Sequence, residues 1–435
     1  MIFMAWAFEL IVVTASLLFL LVSGMWASIA IGLLGTAYLY FSVGANGLKA
    51  LGLIAWGSVN SFPLAAIPLF ILMAEILLKS GVADRVYRGI TPLASRLPGG
   101  LLQTNIIGCG VFSAISGSST ATAAAIGTVS LPQLKAQGYN PTISTGSLAA
   151  GGTLGILIPP SIPLIIYSTF AEISAAKLFI AGILPGLLLV VLFCGFLALA
   201  NSFINREAST KKSTGQKIPW LMVFNDLFPF LLLIVLVLGS IYAGIATPTE
   251  AAAVGCLGAA VVGKIWGNLS YANFRAATGS TVKTTGAIML IVMMALVFSY
   301  AVAITGLPKQ LANWVGTQEM STITLILFLG SVYLVMGCII DSIGMMVITV
   351  PLFLPIVEAV GIDPVLFGIM VVIFIEIGLI TPPIGLNLFV IHSLDPDGQL
   401  LPIIKGAVPF VIIMILMAVL LWIFPAIALW LPSRM

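Results

Sequence analysis

Long apolar runs with almost no charge dominate this sequence. Residues 181–204 and 284–305 contain no charged side chain, and 220–244 and 402–430 contain one each. In hydrocarbon a backbone must satisfy its own N–H and C=O groups, and an α-helix does so within one segment. Runs of about 20 residues are long enough to cross the apolar core. The chain therefore reads as a polytopic helical membrane protein. Its composition agrees: 60% of residues are hydrophobic and 7% are charged, against about 25% charged in soluble domains. The same figures exclude disorder, which needs low hydrophobicity and high net charge. The length of 435 residues leaves room for roughly ten to thirteen crossings. A formal charge of +3, from 17 Lys+Arg and 14 Asp+Glu, is too weak and scattered for a nucleic-acid footprint, so no nucleic-acid partner is expected.

Several chemistries are missing. Cys109, Cys194, Cys256 and Cys338 lie apart in apolar stretches and read as small buried hydrophobes. His392 is the sole histidine, which argues against His-based zinc sites and Ser-His-Asp triads. Neither a Gly-x-Ser-x-Gly elbow nor a phosphate-binding loop occurs, so the chain is expected to be no enzyme and to need no cofactor. Phe8–Gly24 has no basic region before it and reads as a retained first helix.

Expected spans are 8–24, 25–44, 60–79, 181–204, 220–244, 248–266, 284–305 and 402–430. Four further apolar regions are interrupted by Gly, Ser, Thr or Pro: 99–135, 141–180, 321–360 and 364–394. Segments 45–59 and 268–283 are mildly amphipathic and suit the membrane interface. Arg85, Arg88 and Arg96 fall in one expected loop, Arg206, Lys211, Lys212 and Lys217 in another, and Arg275 and Lys283 flank a third. The positive-inside rule puts all three in the cytoplasm. This holds only if 99–135 and 321–360 each enter and leave the membrane on one side, as re-entrant hairpins. Both termini then lie outside.

The chain also repeats itself. A shift of 223 residues aligns Pro132 with Pro355, Gly138 with Gly361, Pro141 with Pro364, Gly155 with Gly378, and Pro159-Pro160 with Pro382-Pro383. Ser119 falls on Ser342, and a shift of 225 pairs Gly81 with Gly306. The copies enter from opposite sides, so the repeat is inverted. Inverted repeats with interrupted hydrophobic segments at matching positions point to a secondary transporter and to its binding site.

Four stretches carry the chemistry. In the first copy the candidate substrate- and Na+-binding residues are Ser116, Gly117, Ser118, Ser119, Thr120, Thr153, Gly155, Pro159 and Pro160. In the second they are Asp341, Ser342, Gly344, Gly378, Thr381, Pro382, Pro383, Gly385 and Asn387. Proline lacks the N–H donor and clashes with the preceding turn, so Pro-Pro inside an apolar run breaks a helix. Freed backbone groups are tolerable in a membrane only where they line a cavity or hold a ligand. Unwound carbonyls and hydroxyls suit Na+, the only metal ion expected, and half-helix N-termini suit a carboxylate. Ser/Thr/Gly stretches also let membrane helices pack closely, but four of them in two repeat-related pairs favour binding. Asp341 suits ion binding or gating, while Glu376 and Glu75 read as interfacial or packing groups. Thr247-Pro248-Thr249-Glu250 reads as a helix cap.

With these residues in place, the sequence strongly resembles the large membrane subunit of tripartite ATP-independent periplasmic (TRAP) transporters. The resemblance covers nearly the whole chain. It is carried by Phe62–Phe70, Gly117–Ala123, Gly155–Ser161, Ala246–Ala252 and Thr381–Asn387 together. It implies an all-α fold of two inverted repeats, each with a re-entrant helical hairpin and a broken transmembrane helix. A scaffold of 1–98 and 205–320 would hold a mobile transport domain of 99–200 and 321–430. The first transport half would comprise hairpin 99–135 and broken helix 141–180, and the second hairpin 321–360 and broken helix 364–394. The resemblance implies Na+-driven elevator import of an organic anion, such as a carboxylate or sialic acid. It further implies a periplasmic substrate-binding protein, a small four-helix membrane subunit as a separate chain, and a place in the bacterial inner membrane with both termini periplasmic. The rival reading is a stand-alone ion-coupled anion symporter or antiporter of related fold.

Overall fold

A computed structural model describes residues 2–204, 218–318, 321–338, 340–395 and 398–434, with side chains except those of 2–7 and 201–204. The basic segment 206–217, expected as a cytoplasmic turn, lies outside the described residues. Every regular element among the described residues is helical.

The chain opens with α1 (Ile2–Val22), α2 (Ala27–Val43), α3 (Ala45–Leu48), α4 (Ala50–Val59) and α5 (Ala66–Lys79). Next come α6 (Val82–Ala94), α7 (Leu101–Ser116), α8 (Ser119–Ala136), α9 (Pro141–Leu157), α10 (Ile162–Phe170) and α11 (Ala175–Ile204). The middle is α12 (Trp220–Tyr242), α13 (Pro248–Ile265), α14 (Tyr271–Thr305) and α15 (Leu307–Thr317). The last part is α16 (Thr322–Gly337), α17 (Ser342–Ala359), α18 (Pro364–Leu379), α19 (Leu386–Ser393), α20 (Leu400–Ile423) and α21 (Ala426–Leu429).

One succession of elements occurs twice. Gly81 and Gly306 take left-handed φ of 75° and 70° and open the short helices α6 and α15. A pair of 16 and 18 residues follows each time, α7–α8 and then α16–α17. Next come helices of 17 and 16 residues, α9 and α18, each stopped by a Pro-Pro pair. Short helices of 9 and 8 residues, α10 and α19, lie beyond the breaks, and the long α11 and α20 end the series. The two halves interlock: α19 packs on α8 and α9, and α10 packs on α17.

The spans differ from expectation in instructive ways. Among the described residues five helices are long and apolar enough to cross a membrane singly, or up to seven if each bent pair counts as one, by length and composition. Helices such as Leu101–Ser116, Thr322–Gly337 and Pro364–Leu379 fall short of 18 residues because turns and breaks cut the apolar segments. Residues 268–283 form no separate interfacial segment, since Tyr271–Thr305 is one helix of 35 residues. At 1.5 Å per residue it is about 52 Å long and overshoots the hydrocarbon. Residues 82–94, expected within a loop, form the amphipathic α6, whose apolar positions Val82, Val86 and Ile90 are buried.

Several helix pairs are close-packed. α5 and α13 run parallel: Thr249 Oγ1 donates to Phe62 O at 3.1 Å at one end, and Asn268 N donates to Ser80 O at 2.8 Å at the other. Thr247 and Glu250 form the expected capping box at the start of α13. α9 and α20 cross at Gly146 and Gly406, where a Cβ on either would overlap the other backbone.

Candidate functional site

The first hairpin tip is the turn between α7 and α8. Gly117 takes φ 57°, and a Cβ there would stand 2.8 Å from Pro160 O. Only glycine lets the tip turn and approach the break this closely. The contact is a hydrogen bond: Ile162 N donates to Gly117 O at 3.3 Å. Thus the tip of the first hairpin rests on its own repeat's Pro159-Pro160 break. Ser118 caps α8, its Oγ accepting from Ala121 N at 3.5 Å, with the Thr120 hydroxyl at 3.4 Å. Ser116 Oγ and Thr122 Oγ1 share a hydrogen bond beneath the tip. Gly155 of α9 lies under the same oxygens: a Cβ on it would be 2.3 Å from Ser118 O and 2.8 Å from Thr122 Oγ1.

The break itself is buried. α9 and α10 meet at 42°, with Pro159, Pro160 and Ser161 between them. Ser161 repairs the gap in the helical hydrogen bonds: its Oγ donates to Ile156 O at 2.6 Å and accepts from Leu164 N at 3.4 Å. Both Pro-Pro bonds, 159-160 and 382-383, are cis.

The second tip repeats the arrangement with weaker ties. Cys338 Sγ donates to Pro382 O at 3.1 Å, joining the second hairpin to its own break. Asp341 caps α17, its carboxylate accepting from Ile343 N at 3.2 Å, and Gly344 lies against that carboxylate. Ser342 opens the helix. Gly378 meets Gly337 backbone to backbone, which brings α18 against α16. Thr381 Oγ1 donates to Ile377 O at 2.6 Å. Pro382 and Pro383 are exposed, unlike Pro159 and Pro160. Gly385, at φ 61°, opens α19 without a side-chain cap.

Several polar contacts join the halves, among them Tyr167 to Pro364 O at 2.6 Å and Lys135 to Asp395 at 2.7 Å, and one of them lies at the first tip. Asn387 is fully buried, and its Nδ2 donates to Ser119 Oγ at 2.7 Å and to Ala149 O at 3.1 Å. Its Oδ1 has no protein partner. A hairpin tip from one repeat and a broken helix from the other therefore share a bond across 268 positions.

The structure thus gathers Ser116, Gly117, Ser118, Ser119, Gly155, Pro160 and Asn387 around the first tip. It brings Asp341, Gly344 and Pro382 to the second. Thr153 is not drawn in: its hydroxyl donates to Ala150 O at 2.6 Å and neighbours Met414. Thr122, Ser161 and Cys338 belong to the cluster but were not among the candidates. The signal for Ser161 was its place directly after Pro-Pro; Thr122 lies in the first turn of α8, in a Thr/Ala run that gave no cue to its own role. Glu376 reads in the sequence as an interfacial or packing group. It is fully buried in α18, with both carboxyl oxygens unpartnered. Among the described residues no three His, Cys, Asp or Glu side chains gather as metal ligands. The clustered oxygens at the tips are chiefly neutral hydroxyls and carbonyls.

Residues 14–427 match the family described as tripartite ATP-independent periplasmic transporter, DctM component. The chain is 33% identical over 391 residues to the C4-dicarboxylate TRAP transporter large permease DctM of Pseudomonas aeruginosa, covering 89% of this chain and 90% of that one. It is 31% identical over 381 residues to the sialic acid TRAP transporter large permease SiaM of Vibrio cholerae, covering 87% and 88%. Against the isethionate TRAP permease DctMQ of Oleidesulfovibrio alaskensis it is 32% identical over 408 residues, covering 92% of this chain and 63% of that protein. Among solved structures, the YdaH transporter of Alcanivorax borkumensis matches at TM-score 0.66 and 16% identity, over 94% of this chain and 98% of that one. MtrF of Neisseria gonorrhoeae matches at 0.56 and 14%, over 89% and 85%. At such identities these two likenesses are of fold alone. The family match spans nearly the whole chain, and the chain belongs to the DctM component of the tripartite ATP-independent periplasmic transporters, a multi-pass transport protein and not an enzyme.

Proposed function

We propose that this chain is the substrate-translocating subunit of a Na+-coupled importer in the bacterial inner membrane. Its substrate is an organic anion of the carboxylate or sulfonate kind, the class named for the C4-dicarboxylate, sialic acid and isethionate relatives. A periplasmic binding protein delivers the anion. The small four-helix subunit is a separate chain, unlike the arrangement suggested by the longer DctMQ relative. The two repeats are inverted and both termini are periplasmic. Residues 99–200 and 321–430 move as a transport domain against a scaffold of 1–98 and 205–320.

One observation supports this most. Each hairpin tip meets the Pro-Pro break of its own repeat, through Gly117 and Ile162 in one and Cys338 and Pro382 in the other. Hydroxyls and freed carbonyls at such a junction are hard, neutral ligands that fit Na+. The N-termini of α8, α10, α17 and α19 add partial positive charge for an anion. Each Na+ entering down 100 mV contributes about 2.3 kcal/mol, or about 1.6 decades of accumulation at about 1.4 kcal/mol per decade.

The test is thermal unfolding of purified protein in NaCl, KCl and choline chloride at equal ionic strength, followed by reconstituted uptake. Saturable stabilisation by Na+ alone is expected, since a ligand of the folded state stabilises it by RT ln(1 + [L]/Kd). Bulky replacements of Ser119 should abolish it. Uptake should require both the soluble binding protein and Na+. Equal unfolding in all three salts together with Na+-independent uptake would overturn the coupling. Uptake by this chain alone would select the stand-alone symporter.

A further inference from the structure

The helix α6 lies between the two proposed bodies, and polar side chains tie both of its faces. Arg85 and Arg88 are three residues apart, so they share one face. Both reach a single carboxylate, Asp226 of α12. Arg85 Nε donates to Asp226 Oδ1 at 3.0 Å. Arg88 Nε donates to Oδ2 at 2.7 Å and its Nη2 to Oδ1 at 2.9 Å. Arg85 also donates to the carbonyl of Trp266, just after α13. Asp226 is only 3% exposed. Gly89 lets α12 close on α6, since a Cβ there would stand 2.9 Å from Leu227 Cγ.

Tyr87 is about 200° round the helix from Arg85 and serves the other side. Its hydroxyl donates to Ser130 Oγ of α8 at 3.1 Å. Ser130 in turn donates to Asn105 Oδ1 of α7, and Asn105 Nδ2 donates to Ser147 Oγ of α9 at 3.0 Å. The second face is therefore bonded to three helices of the first transport half. The repeat-related α15 has no such clamp: its one charged side chain, Lys309, forms no ion pair among the described residues.

We infer that Asp226, Arg85 and Arg88 are positioning residues for transport. They fix α6 to the scaffold helix α12, so that α6 carries the first hairpin as a stiff arm. The inference rests on the division into scaffold and transport domain proposed above. A carboxylate buried between two guanidinium groups has one favourable arrangement, and losing that carboxylate leaves the two arginines as like charges side by side. Such a group resists sliding where apolar contacts would permit it.

The test uses the full chain in lipid nanodiscs with Cys194 replaced and the buried Cys109, Cys256 and Cys338 kept. Spin labels go on Thr128→Cys in α8 and Lys264→Cys at the end of α13, both exposed positions. Pulsed electron paramagnetic resonance reads their separation in Na+ and in choline. The parent should give two narrow distance populations whose weights change between the salts. Asp226→Asn should at least double the width of each, in protein that stays folded by circular dichroism. The reversed pair, Arg88→Asp with Asp226→Arg, should narrow them again, which a loss of general stability would not predict. Tyr87→Phe cuts the other face and should broaden both, and it decides the matter if Asp226→Asn does not fold. Unchanged widths in these variants overturn the inference and leave the elevator standing. One distance in the parent, identical in both salts, removes the elevator and the inference with it.

Discussion

Gly155 and Gly52 differ in surroundings, and the difference sets opposite expectations for the same change to alanine. A Cβ at Gly155 would stand 2.3 Å from Ser118 O, a backbone atom that cannot swing away, whereas Gly52 has nothing within 4 Å. Gly155→Ala should cost about 1–3 kcal/mol through overpacking. Gly52→Ala should be neutral or stabilising by up to about 1 kcal/mol. Thermal unfolding of the two variants side by side checks this, and equal shifts would show that the tip does not press on α9. Asn387 offers a second residue-level test. Asn387→Ala removes the donor that serves Ser119 Oγ and Ala149 O. A buried acceptor left without its partner costs about 1–3 kcal/mol. The midpoint of the Na+-dependent rise in melting temperature should also move to higher salt. An unchanged midpoint would place the cation elsewhere. Ser119 and Asn387 were both recognisable as candidates, because polar residues beside Gly and Pro in apolar runs are conspicuous. Their partnership was not, since a bond across 268 positions leaves no local pattern.

The short helices owe their ends to single side chains. Ser161 holds both sides of the first break, accepting from Leu164 N and donating to Ile156 O. Ser161→Ala should cost about 1–2 kcal/mol, the upper part of the range for a lost N-cap. It should also blunt the response to Na+, because the α10 N-terminus then loses its fixed position. Thr247→Ala removes the corresponding cap of α13 at an exposed site. It should cost a similar amount of stability while leaving the response to Na+ intact. Melting curves taken across a NaCl series separate the two, and loss of the response in both would mean that caps act on the sites only through general stability. These breaks were legible because a missing N–H donor is a property of proline wherever it stands. The helix over 82–94 was not, because its charges resemble a loop until Asp226 appears beside Arg85 and Arg88. Residues 268–283 were misread for a related reason: their amphipathic pattern ends inside a longer helix that runs on to Thr305.

Across the whole molecule, the doubled succession of elements makes a prediction about sidedness. If the repeats are inverted, Gly138 and Gly361, each in a left-handed turn after a hairpin, lie on opposite faces of the membrane. Cysteines placed there in otherwise cysteine-free protein should react differently with a membrane-impermeant maleimide in whole cells. Position 361 should label and position 138 should not; labelling of both or neither would show that the repeats are parallel. The two halves also differ in burial, with Pro159 and Pro160 enclosed and Pro382 and Pro383 exposed. An internal repeat in sequence foretold likeness, not this asymmetry, because exposure depends on what the rest of the fold lays over each break. The sequence by itself determined the helical membrane class and the points at which helices are interrupted. Both follow from chemistry local to the chain: the cost of an unsatisfied backbone in hydrocarbon and the missing donor of proline. Only the tertiary structure decided which tip meets which break, which hydroxyls are already committed to helix carbonyls, and which carboxylate anchors α6. Those outcomes depend on side chains brought together from distant parts of the chain, where packing geometry rather than local pattern selects the partner.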